Sequence, residues 1–395
     1  MIDTRPVRAF LDPAHFAWAE TVGAFAMRRL EGRAEPESDA AARTEARTLL
    51  GILGEGGVLA PIGTRDLRAC CLAREAIAAA SPLADAVWAL QGLGITPILL
   101  AGDDALRARF AEPALAGKLM SAFAMTEPGA GSDVAAMTTR AVRDGADYVL
   151  DGHKWLISNA GIADYYVLFA STDPAAKSRG ITAFVVPADT PGLRYAGTQP
   201  MSAPHPLGEL ELDGCRVPAA HRLGDEGRGF MLGMATLDQL RPTVGAAACG
   251  MAERALREAL DHAATREQGG VALGTHQLVQ DKLARMAIEL TAARLLVYRA
   301  AHEKDDGAER ITVEAAMAKA YATEAAQRIV DDAVQIIGGR GVLASHPVDR
   351  LYRSVRALRI YEGTTEIQHL IIAGRMIAEE KERRGRASGG GGATA

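Results

Sequence analysis

Met125-Thr126-Glu127-Pro128-Gly129-Ala130-Gly131-Ser132-Asp133-Val134 is the stretch on which the reading of this chain turns. Gly129 and Gly131 permit a tight turn whose backbone N–H groups can converge on an anion, and Thr126 and Ser132 add hydroxyl donors. The stretch lacks the third glycine of a dinucleotide fingerprint and the Gly-Lys-Ser/Thr ending of a nucleotide phosphate loop. A glycine-rich turn alone reads equally well as an ordinary loop. Its weight comes from a second stretch far downstream, Ile360-Tyr361-Glu362-Gly363-Thr364-Thr365-Glu366-Ile367-Gln368. There a glycine lets a ligand approach the backbone and a threonine can cap the following helix. A carboxylate at such a place is more often a solvated, dipole-stabilising group than a base.

Bulk properties bound the answer. The chain has 395 residues, 48% of them hydrophobic, enough for a buried core and more than one structural domain. Net charge is -5 and the basic residues are dispersed, which argues against nucleic-acid binding and against a polybasic membrane patch. Cys70, Cys71, Cys215 and Cys249 form no C-x-x-C pair and no metal-ligand spacing with histidine, so no metal site is expected and the thiols read as reduced, buried and apolar. The first residues, MIDTRPVRAFLD, do not read as a signal peptide. The apolar stretch Ala86 to Ala101 holds Pro97 and several glycines, and is expected to be too short and interrupted to span a bilayer. A soluble, cytoplasmic protein is the expectation.

Three compositional zones follow one another. Residues 1–118 are rich in alanine, leucine and arginine, with apolar residues at helical spacing. Residues 119–225 carry β-rich runs at Tyr148 to Leu150, Tyr165 to Ala170 and Ile181 to Val186, separated by turns such as Asp144-Gly145 and Pro191-Gly192. No helices intervene, so an antiparallel, barrel-like β domain is expected there. Residues 226–383 return to long alanine-rich helices over Val244 to Arg266, Gln277 to His302 and Thr312 to Ile337, spaced for a bundle. Residues 384–395 end in a glycine-rich run and are expected to be a disordered tail. The fold class is α+β, multi-domain.

With GHKWLISNA (152–160), DQLRP (238–242) and QIIGGRGV (335–342), the two opening stretches bring the chain into register with a known family. The sequence resembles the acyl-CoA dehydrogenases over roughly residues 85 to 378, all five strings falling in that family's order. The resemblance implies an N-terminal helical domain, a middle β domain and a C-terminal four-helix bundle. It also implies FAD, an acyl-CoA substrate, an electron-transfer flavoprotein as partner and a homotetramer.

Site roles carry over by matching position. Phe123, Met125, Thr126, Gly131 and Ser132 match the segment along the flavin and its pyrophosphate, with Ser132 also reaching toward the CoA. Leu156, Ile157 and Ser158 match the strand at the flavin ring, Ser158 placing a hydroxyl near N5. Asp238 and Arg241 match substrate contacts, as do Tyr361 and Gly363. Arg266, Gln335, Gly338 and Gly339 match residues touching the FAD of a neighbouring subunit, and Gln268, His276 and Gln277 join the cofactor set. Thr364 and Glu366 match flavin contacts after the base.

Glu362 is then the expected catalytic base. The α-proton of a thioester is weakly acidic and must leave as a hydride departs from the β-carbon, so a carboxylate in a water-poor pocket, its pKa raised, suits the task. Some family members place the base just before the arginine of the DQLRP-like segment; that position is Leu240 here, which leaves Glu362. Three departures stand out. Leu156 occupies the slot of an aromatic residue stacked near the flavin, with Trp155 one place earlier. Pro204 to Glu209 replaces a Ser-Asp-Thr-like stretch near the CoA, where His205 between two prolines reads as structural. Gly269 replaces a phenylalanine at the subunit contact. The rival readings are an oxidase of the same fold, which Leu156 favours, and a non-catalytic flavoprotein relative.

Overall fold

The computed structural model describes residues 2–389. Helices α1 (Pro13–Arg29), α2 (Asp39–Glu55), α3 (Leu67–Ala80) and α4 (Pro82–Ala101) build the first zone. Short polar side chains start them: Ser38, Asp66 and Ser81 each accept a backbone N–H from the first turn. Contrary to expectation, the stretch around Pro97 is not interrupted, and α4 runs unbroken for 20 residues. By length and composition alone it could cross a membrane, but 83% of its apolar window is buried inside the protein, as befits a core helix.

Helix α4 also meets the β domain, at its first strand. Gln91, fully buried, donates to the carbonyls of Ala114 and Leu119 and accepts from the Ser121 N–H and hydroxyl. Gly94 permits the approach, since a Cβ there would lie 2.3 Å from Ser121 Cβ.

The middle zone holds β1 (Ser121–Ala124), β2 (Arg140–Asp144), β3 (Asp147–Ser158), β4 (Tyr165–Ser171), β5 (Ile181–Pro187), β6 (Leu193–Thr198), β7 (Leu207–Pro218) and β8 (Arg222–Leu223). The strand order is β6-β7-β3-β2-β4-β5-β8, with β1 added on β4. Most pairs are antiparallel as expected, but β1 and β2 each pair with β4 in parallel, so the sheet is mixed. Alternation explains the unbroken apolar run of β4. Tyr165, Val167 and Phe169 enter the large core shared with the helices, while Tyr166, Leu168 and Ala170 enter the core of the β domain.

Helices α5 (Gly229–Thr265), α6 (Gln277–Asp305), α7 (Thr312–Ile337), α8 (Pro347–Leu358) and α9 (Thr365–Gly389) complete the chain. The first begins well before the expected Val244, because Pro242 is carried inside the helix and Gly229 and Gly233 do not break it. Helix α5 packs on α6 and α7, and α7 on α9, as a bundle; α5 also packs along α3. A buried polar set joins the first zone to the bundle: Arg294 Nε and Tyr298 OH each donate to Glu75 at 2.7 Å. The last helix continues through Gly389, past the expected start of the tail at 384, and residues 390–395 of that tail lie outside the described residues.

Candidate active site

A cavity of about 490 Å³ opens where α4, the β domain and the segment from α8 to the start of α9 converge. One wall is the apolar side of α4, with Ala86, Ala89, Leu90 and Leu93; Leu237 of α5 faces it. Leu240 packs into the small cluster behind Ala89, Leu90 and Leu93, so that position is part of an apolar wall. The opposite wall comes from Phe123, Met125, Thr126 and Gly131, with Leu156 and Ser158. Tyr361, Glu362 and Gly363 close the cavity on the bundle side.

Glu362 lies at φ +54°, a left-handed conformation rare for a side-chain-bearing residue. Strain of this kind persists only where surrounding contacts enforce it. Here Arg241 Nε donates to the Glu362 carbonyl at 3.2 Å, and Gln368 Nε2 donates to the same oxygen at 3.3 Å and to Gly363 O at 3.0 Å. Gly363 follows at φ +92°, and a Cβ there would lie 2.5 Å from Gln368 Nε2. Thr364 Oγ1 accepts the Ile367 N–H at 3.3 Å, capping α9, and Thr365 Oγ1 donates to Glu324 at 2.7 Å.

The result is a carboxylate turned into the cavity with its Oε2 buried and without a hydrogen-bond partner among the described residues. Burial pushes the Glu362 carboxyl above its usual range, against the pull of Arg74, Lys319 and Arg241. Beside it lies a fully buried bidentate pair, Arg74 Nε and Nη2 each 2.8 Å from Asp85, with Arg74 Nη1 on Thr243 at 3.0 Å.

The loop of the opening motif is fixed from beneath. Glu127 and Ala130 exchange backbone bonds across the turn. The Glu127 carboxylate, turned inward, accepts from the Thr138 N–H (2.6 Å), the Thr138 hydroxyl (2.8 Å), the Thr139 N–H (3.0 Å) and Lys154 Nζ (2.8 Å). A Cβ on Gly131 would meet nothing within 4 Å, so the turn borders open space. Opposite it, β3 carries a bulge between Lys154 and Ile157. The bulge sets Leu156 at φ +55° and 43% exposed, its N–H on Gln199 Oε1 at 3.0 Å. Ser158 Oγ shares a 2.7 Å hydrogen bond with His205 Nε2, whose imidazole burial pushes down to about 4. His205 therefore lines the cavity through Ser158, a partnership its place between prolines did not reveal.

Of the residues expected at the site, the cavity gathers Phe123, Met125, Thr126, Gly131, Leu156, Ser158, Tyr361, Glu362 and Gly363. Ile157 differs: its side chain is buried in the β-domain core, as strand alternation requires when Ser158 faces the cavity. Ser132 is exposed beyond the lining. Arg241, expected on the substrate, is buried behind Glu362 and ion-paired to Asp238, which also accepts from Thr312. Thr364 is a helix cap, and Glu366 is exposed. Arg266, Gln268, His276, Gln277, Gln335, Gly338 and Gly339 are exposed near the ends of the bundle helices, away from this cavity.

A mostly apolar cleft into which a carboxylate, glycine backbone and hydroxyl groups converge has the make-up of an enzyme's binding site. Comparison with known proteins gives the class its family. Residues 122–215 match the middle domain of acyl-CoA dehydrogenases and residues 227–377 the C-terminal domain. The chain is 40% identical over 284 residues to a 3-(aryl)acrylate reductase of Clostridium sporogenes, covering 71% of this chain and 75% of that one. It is 37% identical over 311 residues to a cyclohexane-1-carbonyl-CoA dehydrogenase of Geobacter metallireducens, covering 78% and 81%. Among solved structures, one of the electron transferring flavoprotein of Acidaminococcus fermentans contains a chain that superposes with a TM-score of 0.88 at 33% identity, over 93% of this chain and 98% of that one. The protein belongs to the acyl-CoA dehydrogenase family and is a flavoprotein oxidoreductase of that family.

Proposed function

We propose that the protein catalyses the FAD-dependent α,β-dehydrogenation of an acyl-CoA thioester to the trans-2-enoyl-CoA, with Glu362 abstracting the α-proton. The observation that carries this reading is Glu362 itself, its Oε2 buried at the cavity without a partner among the described residues and its carboxyl raised by burial. A carboxylate so placed is a stronger proton acceptor than one in water. The residues facing the cavity suit an isoalloxazine: apolar Phe123, Met125 and Leu156 for its faces, hydroxyls of Thr126 and Ser158 for its heteroatoms, and Gly131 where the backbone must come close. FAD, when bound there, supplies the hydride acceptor. The chain's own work is to hold the acyl group against Ala86, Ala89, Leu90 and Leu93, to exclude water, and to take the proton on Glu362.

The reading extends to the protein's partners. Electrons pass to an electron-transfer flavoprotein, and the protein acts in the cytoplasm as a homotetramer. Leu278, Ile288, Leu370, Met376 and Ile377 on the bundle helices expose large apolar side chains, which supports association. The exposed Arg266, Gln268, His276, Gln277 and Gln335 are then available to a neighbouring subunit's cofactor. Leu156, 43% exposed, favours one second reading, an oxidase of the same fold. Turnover in oxygen alone against turnover with an electron-transfer flavoprotein separates the two. For the main reading, anaerobic addition of a panel of acyl-CoAs should bleach the bound flavin with at least one member; no bleaching by any chain, branched or cyclic acyl group would refute it.

A further inference from the structure

The buried charges around Glu362 come in pairs, with one exception. Arg74 is neutralised by Asp85 and Arg241 by Asp238. Lys319, in the first third of α7, is fully buried and donates to Gly363 O at 2.7 Å. That neutral carbonyl is its one hydrogen-bond acceptor among the described residues, and no carboxylate there forms an ion pair with it. A buried ammonium without a paired anion is destabilising, so the site balances only if the charge has a counterpart further off. The charged groups facing Lys319 are Glu362, Arg241, Glu324 and Glu366; those facing Glu362 are Arg74, Lys319, Arg241 and Asp85. With Arg241 given to Asp238, and Glu324 bonded to Arg359 and Thr365, Glu362 is the remaining buried anion.

We infer that Lys319 is a positioning residue for the base, pinning the Gly363 carbonyl so that Glu362 stays at φ +54° facing the cavity, and holding the Glu362 carboxylate ionised when substrate excludes water. This inference rests on Glu362 being the base. It adds a role that the cavity lining does not disclose, because Lys319 touches the backbone beneath the site and never the cavity itself. The buried ammonium acts through two routes. Its hydrogen bond sets the direction of the Gly363–Thr364 peptide, one residue beyond Glu362, and its charge offsets part of the desolvation that favours the protonated acid.

The test uses the flavin-loaded enzyme and its Lys319→Met and Lys319→Arg variants. Flavin content and far-UV circular dichroism establish that each is folded, and the pH profile of kcat/KM is then measured across roughly pH 5 to 9. Loss of the cation should raise the pKa of the base, so in Lys319→Met the acid limb moves up by about one pH unit. Lys319→Arg, which keeps the charge, should return the limb most of the way. If Lys319→Met fails to hold flavin, Lys319→Gln removes the charge while keeping a donor, and the same limb shift is required of it. A folded, flavin-loaded neutral variant with an unmoved acid limb overturns the inference. Glu362→Gln separates the two ideas: if it still bleaches, the base assignment itself fails; if it is inert while the limb of Lys319→Met stays put, only the role of Lys319 fails.

Discussion

Replacing Lys154 with methionine tests how the glycine-rich loop at the cavity is held. Lys154 is 0% and Glu127 3% exposed, so little solvent screens the pair. Burial opposes ionisation of Glu127, but Lys154, Thr139 and Thr138 outweigh it and hold the carboxyl at about 2 against an ordinary 4.5. Burial pushes the Lys154 ammonium the other way, down to about 8, so the gain from ionising Glu127 is offset by the cost of burying its partner. For Glu127 the sign is fixed by the depressed folded pKa: its contribution is present above the unfolded value and is lost as pH falls from about 4.5 toward 2. Lys154→Met strands the carboxylate on the Thr138 and Thr139 donors, and removing one partner of a buried pair typically costs about 3 to 5 kcal/mol. We expect urea denaturation at neutral pH to show a loss of about 3 kcal/mol, with reduced flavin content, because Thr126 and Gly131 sit on the loop that Glu127 anchors. The deficit relative to the wild type should shrink as the pH is lowered. The double variant Glu127→Gln with Lys154→Met, which leaves no buried charge, should recover a large part of it. A single variant within about 1 kcal/mol of the wild type, or a double variant no better than the single, would refute this reasoning.

Three further outcomes are expected. Gly363→Ala places a Cβ 2.5 Å from Gln368 Nε2 at a φ of +92°, so it should lower kcat/KM at least about tenfold with a thermal-melt change of only about 1 to 2 kcal/mol. Ala89→Leu adds bulk to the α4 wall of the cavity and should shift preference toward smaller acyl groups, read as relative kcat/KM over an acyl-CoA panel. Because burial raises the Glu362 carboxyl, the acid limb of kcat/KM in the wild type should fall above the ordinary carboxylate value of 4.5, and an ordinary limb would show the base to be solvated.

Much of the architecture was legible because period and length speak for themselves. The helices beginning at Gln277 and Thr312 start where the sequence indicated, and the apolar runs of β4 and β5 lie in strands that separate two cores. The N-terminal part of α5 and the continuity of α4 were not legible, since Pro242, Pro97 and the neighbouring glycines carry local breaker signals that tertiary packing overrides. At the site, Glu362 could be found from its motif, but its left-handed backbone could not. That conformation is imposed by Arg241, Lys319 and Gln368, the first two more than 40 residues away in sequence. Lys319 and the Arg74–Asp85 pair sit in alanine-rich helices where a single charge looks like a surface residue, and only the packing of α3, α4, α5 and α7 reveals them as buried. Between its two prolines His205 has the look of a structural residue, and its bond to Ser158 depends on a loop that leaves no periodic trace.

The most direct test of the account is anaerobic mixing of flavin-loaded Glu362→Gln with an acyl-CoA that bleaches the wild-type flavin. The variant should still bind FAD and the acyl-CoA, since the glutamine keeps the shape of the side chain, yet its flavin should remain oxidised. Bleaching at the wild-type rate would contradict the assignment of Glu362 as the base.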